Sequence, residues 1–136
     1  MTRRGSRKSV DSAHWQGRLS QGRSFLEAAQ QAATLAEPSQ DGNPIVSHAV
    51  TAAIAYADAL TARRAGIVNR QDHAAAPKLL RDVLREALPK EQEVRYRRIL
   101  AEKDTAQYGV RPGRIDHALK LLADLEPFAH WAEEKL

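Results

Sequence analysis

The apolar residues of this chain recur at three- and four-residue spacing almost from end to end, and Pro and Gly interrupt that period at irregular intervals. Such a period builds helices with one buried face. No run of alternating β-branched residues competes with it, so the chain should be all-α. With 136 residues it fits one domain, and with few aromatics its core must come from Leu, Ala, Ile and Val.

The punctuation sets the elements. Helix one begins between Asp11 and Phe25, with Ser24-Phe-Leu-Glu27 as a second start of capping-box form, and ends near Glu37 at the turn signal Pro38-Ser-Gln-Asp-Gly-Asn43. Asn43-Pro44 opens an alanine-rich second helix from Ile45 to about Ala65, closed by Arg63, Arg64 and Gly66. Asp72 can cap a third helix, with Pro77 confined to its first turn and a stripe of Leu79, Leu80, Val83, Leu84, Ala87 and Leu88. Pro89 separates it from a fourth helix, Glu91 to about Gln107, with Val94, Ile99, Leu100 and one of Tyr96 or Tyr108 inward. Gly109 stops that helix, and Pro112 begins a fifth carrying Ile115, Ala118, Leu119, Leu122, Leu125, Phe128, Ala129 and Ala132. Pro127 should kink or restart it. Short connections imply a five-helix up-and-down bundle.

The net charge of +4 sits in the N-terminal segment, where Arg3, Arg4, Arg7, Lys8, Arg18 and Arg23 face Asp11 alone within the first 24 residues. The rest of the chain is nearly neutral, so the pI of about 9.7 describes a basic, partly flexible arm and not a binding face on the body. We accordingly divide the chain into residues 1–23, a basic arm or helix extension, and 24–136, one helical domain. The absence of cysteine excludes disulfides and thiolate metal sites. Neither a leader's apolar region nor a stretch of about 20 apolar residues is evident. These features predict a cytoplasmic protein with no membrane partner.

Chemistry is sparse. The five histidines, His14, His48, His73, His117 and His130, lack the i, i+4 pairing of a helical zinc site. There is no phosphate-binding glycine loop and no Glu-x-x-His pair. No metal or cofactor is expected. Arg95, Arg97, Arg98 and Lys103 could line a phosphate-binding face, but Glu91, Glu93 and Glu102 stand at pairing distance along the same helix. Asp58 can meet an arginine such as Arg81 or Arg85 in the interior, and Trp15 and Trp131 fall in phase with apolar stripes as packing anchors.

The segment from Tyr96 to Gly109, followed by Arg114 to Trp131, resembles the last two helices of HEPN domains, and Ser47 to Leu60 is similar to their alanine-rich second helix. The resemblance spans residues 24 to 136 and implies an HEPN-like bundle that forms a homodimer. It also implies a toxin–antitoxin or defence-type setting, with a nucleotidyltransferase-like protein or RNA as partner. Ribonucleases of that family carry R-N-x-x-x-H-x-Y before the final turn. Set on Tyr108, the motif places Ala106 at its histidine, Ala101 at its arginine and Glu102 at its asparagine. Alanine neither moves a proton nor stabilises a pentacovalent phosphate. The expectation is therefore a non-catalytic module that binds a protein or RNA, with Arg95, Arg97, Arg98, Lys103, Tyr108 and Arg114 as phosphate contacts. Two alternatives stand beside it: a metal-independent endoribonuclease using the Arg-x5-His pair Arg111 and His117, and a structural dimerisation module with no nucleic-acid role.

Overall fold

The computed structural model describes residues 6–70, 72–103 and 112–136. Among them are five α-helices: α1 (His14–Leu35), α2 (Asn43–Ala65), α3 (Ala76–Leu84), α4 (Lys90–Leu100) and α5 (Ile115–Lys135). The fold is an all-α bundle. Two three-residue strands, β1 (Arg7–Ser9) and β2 (Ile67–Asn69), pair antiparallel with Lys8 opposite Val68. Strands this short carry no readable alternation.

Side-chain partners fix the helix directions. Trp15, Arg18 and Gly22 of α1 meet Arg63, Asp58 and Tyr56 of α2 in that order, so the two helices run antiparallel. Tyr96 stacks on Phe128, with centroids 5.1 Å apart, and Arg98 pairs with Asp124, so α4 and α5 are antiparallel too. Arg23 and Gln30 of α1 reach Glu133 and Glu126 of α5, again in opposite order. The Gly42 amide donates to the Gly113 carbonyl at 2.8 Å, while Tyr56, further along α2, donates to Glu133 near the end of α5 at 2.9 Å. The helices α2 and α5 are therefore parallel.

The centre of the bundle is α2, with α1, α3, α4 and α5 packed around it. Its unbroken buried run from Ala55 to Ala62 explains why alanine predominates there: small side chains let four neighbours approach one helix from all sides. Gly66 ends it in the left-handed conformation, φ 66°, with its N–H returned to Ala62 and Thr61. By length and hydropathy α2 could cross a membrane, but 72% of its most apolar window lies inside the bundle.

Several expectations change at the elements. The first helix starts at His14, so residues 14–23 form its opening turns. Asp72 caps a 3-10 turn, His73–Ala75, its Oδ1 accepting from Ala74 N at 3.1 Å, and α3 follows with Pro77 in its first turn. The third helix ends at Leu84, not Leu88, because Arg85 adopts φ 52° and the chain tightens into a 3-10 turn. Val94 and Leu119, expected inside, are 38% and 43% exposed. Gln92, Glu93, Tyr96 and Ile99 make the buried face of α4, and Val94 lies about 200° around the helix from Gln92 and Tyr96. On α5 the buried stripe passes through Ala118, Leu121, Leu122 and Leu125. It leaves Leu119 on the rim. Helix α5 is continuous through Pro127.

Candidate functional site

A recess of about 540 Å³ with several polar side chains in its lining lies where the start of α1 crosses the end of α2 beside β2. Asp58 stands in its wall, 9% exposed, because it falls within the stretch of α2 from Ala55 to Ala62 that is buried all round, where a polar side chain meets a neighbouring element. Arg18 of α1 answers it. The guanidinium places Nε at 3.1 Å and Nη2 at 2.9 Å from Asp58 Oδ2. Burial still raises the Asp58 carboxyl above its ordinary value, against the opposing pull of Arg18, His14 and Arg70. Arg81 and Arg85 do not supply the partner: Arg81 bonds Glu93, and Arg85 Nε reaches the Asp82 carbonyl. Helix α1, not α3, lies against this face of α2.

The rest of the cleft comes from sequence-distant segments. His14 and Gly17 belong to the first turn of α1, Ile54 to α2, and Asn69, Arg70 and His73 to β2 and the residues after it. The Asn69 amide is anchored through Nδ2, which donates to the Asp72 carbonyl at 2.9 Å, while its buried Oδ1 meets no donor among the described residues. The local sequence reading selected Asp58 alone from this group. Arg18 entered it only as part of the basic arm, because no periodicity reports which helices touch.

The arginines expected to bind phosphate are spread along α4 and the start of α5, each beside a carboxylate. Arg95 is 3.8 Å from Glu91, Arg97 3.1 Å from Glu93, Arg98 3.1 Å from Asp124 and Arg114 2.9 Å from Asp116. Glu93 is buried between Arg81 and Arg97, whose hydrogen bonds hold its carboxyl below the usual range, Arg81 most strongly. Lys103 lines a smaller depression of about 320 Å³ with Arg97, Leu100 and His73. His117 lies in the first turn of α5, 52% exposed, with Nε2 3.0 Å from Glu102 Oε1. Arg111, Tyr108 and Ala106 lie outside the described residues, as does the expected stop at Gly109. Trp131 is a buried anchor beside Phe128, at 5.7 Å between centroids, whereas Trp15 is half-buried with the Arg63 guanidinium 4.8 Å from its ring centroid.

Among the described residues no group of three or more His, Asp or Glu is arranged to hold a metal ion. No family model matches the chain, and no curated protein is significantly similar to it.

Proposed function

We propose that this chain is a non-catalytic, HEPN-like helical module that acts by binding a protein partner, in a toxin–antitoxin or defence-type setting. The observation that carries this reading is the pairing of Arg95, Arg97, Arg98 and Arg114 with Glu91, Glu93, Asp124 and Asp116. Guanidiniums that each have a carboxylate within 4 Å attract a polyanion weakly. They do offer paired charges to a protein surface of complementary pattern. A second copy of the chain and a nucleotidyltransferase-like protein are the partners that the HEPN resemblance implies. Alanines at positions 101 and 106 support the absence of catalysis.

A metal-independent endoribonuclease using Arg111 and His117 is the second reading, favoured by the His117–Glu102 contact at 3.0 Å. A carboxylate on one imidazole nitrogen is the arrangement that orients a general acid–base. The two readings separate in one experiment on the full chain, in which single-stranded RNA is titrated over a salt series and then examined for cleavage. The non-catalytic reading expects no cleavage, and RNA binding only at low salt, abolished when Arg3, Arg4, Arg7 and Lys8 become Gln. It also expects a salt-resistant complex when the chain is co-expressed with the product of an adjacent gene. RNA cleavage that disappears in His117→Ala overturns it.

A further inference from the structure

We propose that the outer face of α3, flanked by β1 and α4, docks an acidic helical segment of the protein partner. The inference rests on the protein-partner reading and names the face that the partner's carboxylates occupy. That face is continuous. Lys78 and Arg7 meet on Asp82, each with a nitrogen 2.8 Å from Oδ2, which sets β1 beside α3. Arg81 and Arg97 meet on Glu93, which sets α4 on the other side. A shallow depression of about 470 Å³, lined by Arg81, Asp82, Arg85 and Glu86, joins the two groups. The cations outnumber the carboxylates and stand above them: the side chains of Arg81 and Arg97 are 56% and 50% exposed, that of Glu93 10%. An anion arriving from solvent meets the guanidiniums first.

Arg85 is costly to the fold and little used by it. It stands at φ 52° and ψ −120°, a conformation that glycine adopts freely and arginine does not. Among the described residues its guanidinium reaches the Asp82 carbonyl, at 3.5 Å through Nε, and no carboxylate within 4 Å. A contact that long is weak. The side chain is therefore left to act outside the chain. Lys78, Arg81 and Arg85 recur at three- and four-residue spacing and are all exposed, a row that a helix with Glu or Asp at the same spacing complements. Guanidinium forks suit carboxylates. From Lys78 to Arg85 the helix rises about 10 Å, too short for the roughly six to ten phosphate contacts of a strong nucleic-acid site. Asp82 and Glu86 lie within the row and repel a continuous phosphate backbone. An acidic helix presents its charges singly and avoids them.

Fluorescence anisotropy of the intact protein tests this at about 0.15 M salt. The probe is a labelled peptide repeating Glu-Ala-Ala-Ala-Glu-Ala-Ala, compared with its Gln counterpart and with a single-stranded RNA of equal charge. The Glu peptide should bind saturably and about tenfold or more tighter than either comparison probe. Lys78→Gln and Arg85→Gln should each weaken it about threefold, and the double variant about tenfold. Lys120→Gln, which removes a charge near Asp116 at the start of α5, should leave it unchanged. Arg85→Gly relieves the backbone, so it should raise the urea midpoint while losing the same affinity as Arg85→Gln. Absence of saturable peptide binding, RNA bound as tightly as the peptide, an Arg85→Gln variant that binds as the parent does, or an Arg85→Gly variant with a lowered midpoint overturns the proposal. The protein-partner reading stands or falls separately, on the co-expressed complex.

Discussion

Asp58 is 9% exposed on a helix rich in buried alanine, and its carboxylate is tolerated because Arg18 reaches it from α1. Removing one member of a buried pair leaves the other charged and desolvated, which costs about 3 kcal/mol or more. Arg18→Met should therefore destabilise the fold by about 3 kcal/mol near neutral pH, read from urea unfolding. The pH dependence has a definite sign. Burial already holds the folded-state Asp58 carboxyl above its ordinary value, and loss of Arg18 raises it further. The folded state then binds the proton more tightly than the unfolded one, so the penalty is complete above the folded value and fades as pH falls towards the unfolded one. The deficit relative to the parent should shrink in acid, and Arg18→Met with Asp58→Leu should recover most of it. A deficit that does not vary with pH would show that Arg18 contributes packing alone.

At the scale of elements, glycine has opposite meanings at two positions of the same helix. Gly17 has open space where a Cβ would stand, whereas a Cβ at Gly22 would lie 3.0 to 3.2 Å from three ring carbons of Tyr56. That ring cannot give way easily, since it is fully buried and its hydroxyl is tied to Glu133 at 2.9 Å. Gly17→Ala should stabilise the protein by up to about 1 kcal/mol through helix propensity. Gly22→Ala should forfeit that gain to the clash, and thermal unfolding of the two variants side by side would decide it. Equal stabilisation by both would mean that α1 and α2 are not in close contact there. Nothing local distinguishes these glycines in the sequence, where both merely weaken a helix start. Gly66, Pro77 and Pro89 were legible because a C-cap, a first turn and an N-cap are set by neighbours in the chain. The end of α3 at Arg85 was not, since a non-glycine residue at φ 52° has no compositional mark. The cleft was legible only through Asp58, for Arg18, Asn69 and Arg70 reach it by helix packing and strand pairing, and the sequence period reports neither.

Across the whole molecule, ion pairs tie the periphery to the bundle, and their pH dependence is collective. Asp82 is lowered by the hydrogen bonds of Lys78 and then Arg7, Glu93 by those of Arg81 and Arg97, Asp116 by that of Arg114, and Glu133 by those of Arg23 and Tyr56. A carboxyl lowered in the folded state contributes stability that is present above its unfolded value and is lost as pH falls through its folded one. Asp58 acts in the opposite sense. Four groups against one make acidification from about pH 5 to about pH 3 destabilising. Most of these pairs are exposed and screened, that of Asp116 most of all, and they contribute little singly. Glu93, 8% exposed beneath two guanidiniums, should dominate a loss on the order of 2 kcal/mol. Glu93→Gln should then be less stable than the parent at neutral pH yet converge with it in acid, where the parent's carboxyl is protonated. Urea midpoints of both proteins over that range measure this directly. Parallel curves would sink the argument, because they would place the acid sensitivity in the exposed pairs; added salt should then weaken it, whereas the buried Glu93 arrangement resists screening.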